Sequence, residues 1–145
     1  MNGALENYIN NLEPTAKMCA QLCRAVQSDF LSSMSKNDKS PVTIADYGCQ
    51  ALIHRAIKQN FPEHSLISEE DSAHLRTAAS AEEKQAIAKL VSMALKEELS
   101  IDNICEWIDY RGPSNAEFTW SIDPIDGTKG FLRQAQYAVA IGLLQ

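Results

Sequence analysis

The chain contains no apolar run long enough to cross a membrane and no signal-peptide pattern at its N-terminus. It is short of positive charge: 13 basic residues stand against 19 acidic ones, a net charge of −6. That balance argues against the electrostatic footprint of a nucleic-acid-binding protein. The four cysteines, Cys19, Cys23, Cys49 and Cys105, form neither a Cys-x-x-Cys pair nor a zinc-type spacing. Cys19 and Cys23 lie one helical turn apart and read as buried thiols, so a reduced, cytoplasmic protein is expected. His54, His64 and His74 are widely spaced and lack a metal motif, which makes them structural or exposed residues. There is no internal repeat and no low-complexity segment.

What is present suits a globular protein. The 145 residues are 45% hydrophobic and 22% charged, enough for one domain with a real core. Residues 3–30 carry apolar side chains at helical spacing, Leu5, Tyr8, Ile9 and Leu12, then Cys19, Leu22, Cys23, Val26 and Phe30. Pro14 is expected to start a new helix or to kink the old one. A polar loop is expected from Ser32 to Ser40. Thr43-x-x-Asp46 resembles a capping arrangement for a helix running to about Asn60, with Ile44, Tyr47, Ala51, Ile53 or His54, and Ile57 facing inward. Ser65–Ser68 reads as a short strand and Ser72–Ser80 as a polar loop. Ala81–Leu99 reads as an amphipathic helix, and 101–111 as helix or turn. Ala138–Leu144 is a nearly continuous apolar strand of the kind found at a sheet centre. A chain ending there, at Gln145, leaves a strand edge and apolar faces in need of partners, and a truncated product, a fragment and one piece of a longer protein are the readings left open.

The chemistry gathers in the stretch from Trp120 to Arg133. An apolar strand, Phe118–Ile122, runs into Asp123-Pro124-Ile125-Asp126-Gly127-Thr128. Pro124 cannot continue a central ladder, Asp126-Gly127 makes a turn, and Thr128 is suited to open a short helix. Asp123 and Asp126 can converge on one point with the Ile125 carbonyl between them. Hard oxygen ligands of this type suit Mg²⁺, and the free N–H groups at a helix start suit a phosphate. An acidic protein handling phosphate needs such a cation. Two other motifs fail on spacing. An EF-hand needs alternating ligands, and Ile125 stands where the second should be. An aspartate-nucleophile phosphatase needs Asp-x-Asp-x-Thr, and Pro124 stands two places before Asp126.

Asp123-Pro124-Ile125-Asp126-Gly127-Thr128 resembles the signature of the lithium-sensitive, Mg²⁺-dependent phosphomonoesterase superfamily, the inositol monophosphatase-like proteins. The continuation Lys129-Gly130-Phe131-Leu132-Arg133 resembles its 3'(2'),5'-bisphosphate nucleotidase branch. Pro41-Val42-Thr43-x-x-Asp46 is similar to a family segment whose aspartate, here Asp46, pairs with the signature threonine, here Thr128, to activate water. The acidic run Glu69-Glu70-Asp71 alone reads as a solvated patch. The resemblance makes Glu69 the principal metal ligand and places Glu70 near a second metal, although Ser68 stands where the family often has glycine.

The implied fold is α+β, residues 1–145 being the N-terminal part of a layered α/β/α/β/α sugar-phosphatase-like fold. Long helices pack on a mainly antiparallel sheet, and the C-terminal α/β domain is absent from this chain. The implied metal set is Glu69, Glu70, Asp123, the Ile125 carbonyl and Asp126, with Mg²⁺ as cofactor. Gly127, Thr128 and Lys129 would meet the phosphate. The implied reaction removes the 3'-phosphate of 3'-phosphoadenosine 5'-phosphate, with the 5'-phosphosulfate relative as a second expected substrate. The implied partner is thus a small nucleotide bisphosphate, with neither nucleic acid nor membrane. Lithium sensitivity and a place in sulfur assimilation come with the resemblance alone. An inositol phosphate substrate and a non-catalytic metal-binding fragment are the alternatives left open.

Overall fold

Helix α2, Ser40–Asn60, is the element around which the others pack. In the computed structural model, which describes residues 2–33 and 40–145, every residue from Tyr47 to His54 is buried. Periodicity leaves Ile53 and His54 as alternatives for the inward face, yet both are fully buried, because helices and sheet surround α2 on more than one side. The helix already begins at Ser40, so Thr43 lies inside it and does not cap it.

Helix α1, Asn2–Ser33, continues through Pro14. Proline removes one backbone hydrogen bond and is costly inside a helix. The apolar stripe of Leu12, Cys19, Leu22, Cys23 and Val26, buried largely against α2, offsets that cost. Of the expected polar loop, Ser32 and Ser33 belong to α1 and Ser40 to α2; residues 34–39, with Lys36, Asp38 and Lys39, lie outside the described residues.

Three strands form the sheet in the order β1 (Ser65–Ser68), β2 (Thr119–Asp126) and β3 (Ala138–Leu144). β1 and β2 are parallel, with Ser65 opposite Thr119 and Ser68 opposite Ile122. β2 and β3 are antiparallel, with Trp120 opposite Leu143 and Ile122 opposite Ile141. The α+β class is as the sequence implies, but the sheet is mixed rather than mainly antiparallel. One face, with Leu66, Trp120 and Ile122, is buried; the other exposes Ile67, Ser121 and Leu144. Among the described residues β3 pairs only with β2, and its residues alternate between exposed and half-buried.

Short helices close the remaining sides. The expected loop at Ser72–Ser80 contains α3, Ala73–Thr77. Helix α4, Ala81–Leu95, is capped by Ser80, whose Oγ accepts from Glu83 N at 3.1 Å. It stops four residues before the expected Leu99, where Lys96 turns left-handed. Helix α5, Ile101–Asp109, starts with a capping box between Ser100 and Asn103. Helix α6, Thr128–Leu132, follows β2.

Candidate active site

The site stands where the two parallel strands end. Ser68 and Ile122 form the last rung of the parallel pair; Glu69 follows where β1 ends, and Asp123 follows Ile122 within β2, where it pairs with Ala140 of β3. Neighbouring strands run only about 4.8 Å apart, so two carboxylates are delivered to one place by backbone pairing. Among the described residues, the buried Oδ1 of Asp123 has no hydrogen-bond partner, and neither has the Oγ of Ser68 one residue before Glu69. A buried carboxylate oxygen without a donor is costly.

Asp46 faces this strand end from α2. Burial, with the charges of Glu70, Asp123 and Glu69 in that order, raises its carboxyl to about 7 from an ordinary 3.8. Glu70 is raised too, by burial first and then by Glu69 and Asp71. Four carboxylates from three elements therefore feel one another across the same space. Asp71 plays a different part: its Oδ1 accepts from Ala73 N at 2.8 Å at the start of α3.

Beyond Asp123 the strand does not stop at Pro124. β2 continues to Asp126, which pairs with Ala138, and the ladder slips between Asp123 and Asp126. Pro124, which has no N–H to give, sits fully buried inside that slip. The Ile125 side chain is buried and anchors the turn, while Asp126, Gly127, Thr128 and Lys129 are exposed. Gly127 caps α6 with φ 93°, a left-handed backbone that favours glycine. Gly130 is needed because a Cβ there would run into the carbonyl oxygen of Gln136. The Gly-Thr-Lys-Gly run is therefore a backbone requirement of the tight return into β3. Helix α6 is held from behind by Gln27, whose Nε2 donates to Phe131 O at 3.0 Å.

Of the residues singled out in the sequence, Asp46, Glu69, Glu70 and Asp123 thus feel one another's charge, while Asp126, Thr128 and Lys129 lie on the exposed turn beyond them. Among the described residues no hydrogen bond joins Asp46 to Thr128, and no three His, Cys, Asp or Glu side chains form a ready-made metal cluster. The donor set nevertheless fits a hard cation: an orphaned carboxylate oxygen, mutual repulsion raising Asp46 and Glu70, and oxygen ligands only. Glu69, Asp123 and Asp126 could hold the ion directly, with Glu70 beside them. Two residues that no motif marks, Gln50 and Arg111, hydrogen-bond the backbone of Glu70. Of the histidines, His54 and His64 are buried, and His74 is exposed beside Glu83.

Known proteins are similar to this chain in sequence. A 3'(2'),5'-bisphosphate nucleotidase 1 of Arabidopsis thaliana is 42% identical over 98% of this chain and 44% of its own length. A 3'(2'),5'-bisphosphate nucleotidase of Oryza sativa is 42% identical over 88% of the chain and 39% of its own length. One from Emericella nidulans is 45% identical over 78% of the chain and 35% of its own length. The chain therefore spans well under half the length of these curated relatives. The sequence model described as "Inositol monophosphatase family" matches residues 5–145, nearly the whole chain, and the chain belongs to that family.

Proposed function

We propose that the chain carries the metal-binding part of a Mg²⁺-dependent phosphomonoesterase that removes the 3'-phosphate of 3'-phosphoadenosine 5'-phosphate, giving AMP and phosphate. The observation that supports this most is the placement of Glu69 and Asp123 directly after the last rung of the parallel pair, with Asp46 opposite and an Asp123 oxygen that has no donor among the described residues. The nucleotidase names of the three relatives supply the substrate. The inositol-phosphate alternative has the family description behind it, but none of those three names.

In this reading Glu69, Asp123, the Ile125 carbonyl and Asp126 hold Mg²⁺, with Glu70 at a second ion. Bound there, the metal supplies a water of lowered pKa and neutralises charge on the phosphoryl oxygens. Asp46, which faces the same space from α2, would accept a proton. Thr128, exposed at the first position of α6, would relay that proton once a substrate draws it toward Asp46. The backbone N–H groups after Gly127 have no acceptor within their own helix and would meet phosphate oxygens, with Lys129 beside them. The same reading carries lithium sensitivity, a cytoplasmic setting and a role in sulfur assimilation.

The test is phosphate release from 3'-phosphoadenosine 5'-phosphate, with inositol 1-phosphate alongside. Release that requires Mg²⁺ and disappears in Asp126→Ala is the expected result. A preference for inositol 1-phosphate would favour the alternative. Absence of Mg²⁺-dependent release from both would overturn the proposal.

A further inference from the structure

Gln50 is a polar side chain with no exposure at all, on the most buried stretch of α2. It sits one helical turn after Asp46, on the same side of the helix. Its amide grips the backbone of one residue, Glu70, on both sides. Nε2 donates to Glu70 O at 2.7 Å, and Oε1 accepts from Glu70 N at 3.2 Å. Nε2 also donates to Ile108 O at 3.0 Å. The reverse amide orientation would set an oxygen against two carbonyls, so the hydrogen bonds fix which way the group points. Gln50 thereby offers the backbone of Glu70 a donor and an acceptor, as the next strand of a sheet would.

Arg111 holds the same Glu70 carbonyl. Nη2 donates to Glu70 O at 2.8 Å, while Nη1 donates to Ile108 O at 2.7 Å and Tyr110 O at 3.0 Å. Glu70 O therefore receives two donors from two elements. Ser72 is tied down next: its N–H donates to Asp109 Oδ1 at 2.8 Å and its hydroxyl to Asp109 Oδ2 at 2.5 Å. Three consecutive acids, Glu69-Glu70-Asp71, would otherwise spread by repulsion, since nothing in β1 extends far enough to pair them.

We infer that Gln50 and Arg111 are positioning residues that clamp the Glu70 backbone, holding Glu69 and Glu70 in place to receive Mg²⁺ opposite Asp123. This rests on the metal-binding reading given above and adds to it two residues that touch neither metal nor substrate. Because Gln50 and Asp46 share one helix, the clamp also fixes the distance between Asp46 and the acidic loop. A Gln50 that merely satisfied buried peptide groups would matter for stability alone. A clamp matters for metal affinity as well, because outer-shell partners of metal ligands typically carry tenfold to hundredfold in affinity.

The experiment is a calorimetric Mg²⁺ titration of the 145-residue chain, of Gln50→Met and of Arg111→Lys. Hydrogen exchange of the peptide spanning 66–75 is measured on the same samples. Methionine keeps the length and volume of Gln50 and removes its hydrogen bonds; lysine keeps the charge of Arg111 and loses the three-way fork. The expected result is a Kd for Mg²⁺ raised about tenfold to a hundredfold in Gln50→Met and about tenfold in Arg111→Lys, with faster exchange at the Glu70 amide in Gln50→Met. Affinities within about twofold of the unaltered chain, in variants that fold, would overturn the clamp and leave the metal site standing. If Gln50→Met fails to fold, Arg111→Lys decides alone. An unaltered chain that binds no Mg²⁺ would overturn the metal-binding reading, and the clamp with it.

Discussion

The two ends of the parallel strand pair are built on opposite principles. Where β1 and β2 begin, Tyr8, Phe61, His64, Phe118 and Trp120 pack ring against ring, with centroids 5.2–6.4 Å apart. Their polar atoms are matched: Trp120 Nε1 donates to His64 Nδ1 at 3.0 Å, and Ser65 Oγ lies 2.6 Å from Thr119 Oγ1. Where the same strands end, four carboxylates face one another and a buried Asp123 oxygen has no partner among the described residues. One end is satisfied and apolar, the other unsatisfied and charged. The difference shows that the sheet fixes positions at both ends, while stability is concentrated at one and chemistry at the other.

Trp120→Ala should give the largest effect, since it removes the ring that joins Tyr8, Phe61 and His64. A loss of about 3–5 kcal/mol in denaturant unfolding is expected, with Mg²⁺ affinity unchanged in the folded fraction. A large change in affinity would break the separation between the two ends.

His54 carries the next effect. Burial holds its imidazole down at about 4, below an ordinary 6.5, and Nδ1 sits 2.8 Å from Trp107 O. The unfolded chain binds a proton from about pH 6.5 downward and the folded chain does not, so stability falls as pH drops from 6.5 to 4. The full loss is roughly 3 kcal/mol. Asp46, eight residues earlier on α2, has the opposite sign. Its folded value is raised, so its contribution favours the fold at low pH and is lost as pH rises from 3.8 toward 7. The acid loss measured by unfolding at pH 7 and pH 4.5 should therefore deepen in Asp46→Asn, and a shallower loss would contradict this assignment.

Gly130→Ala should come next. Its methyl group meets the Gln136 carbonyl, a backbone atom that cannot swing away, and a cost of about 1–3 kcal/mol is expected in thermal unfolding. An unchanged melting temperature would mean that the α6 return is looser than drawn.

The smallest effect belongs to the open end. At pH 7.5 without divalent ions, Asp46→Asn should stabilise the chain by on the order of 1–2 kcal/mol, allowing for the partial exposure of Asp46. A site arranged for charge costs stability until the charge is met.

The sequence shows some of this directly. The end of α2 near Asn60, the amphipathic character of α4, the strand Ser65–Ser68 and the turn at Gly127 follow from apolar spacing, turn residues and glycine. Other features depend on contacts distant in the chain. The parallel pairing that sets Glu69 beside Asp123 joins segments more than 50 residues apart, and no local pattern encodes it. Pro14 reads as a helix break, but burial of the α1 stripe outweighs one lost hydrogen bond. Pro124 reads as a strand end, but a slip in register accommodates it. Helix α3 has only five residues, too few to show a period. Gln50 and Arg111 escape notice because their partners are backbone atoms 20 and 41 residues away, which no side-chain motif marks.

The most direct measurement of the central claim is thermal unfolding of the chain and of Asp123→Asn, each with and without Mg²⁺. A ligand that binds only the folded state adds about 2.7 kcal/mol at a hundred times its Kd. The account predicts a Mg²⁺-dependent rise in melting temperature for the unaltered chain and none for Asp123→Asn. An equal rise in both, or no rise in either, would contradict it.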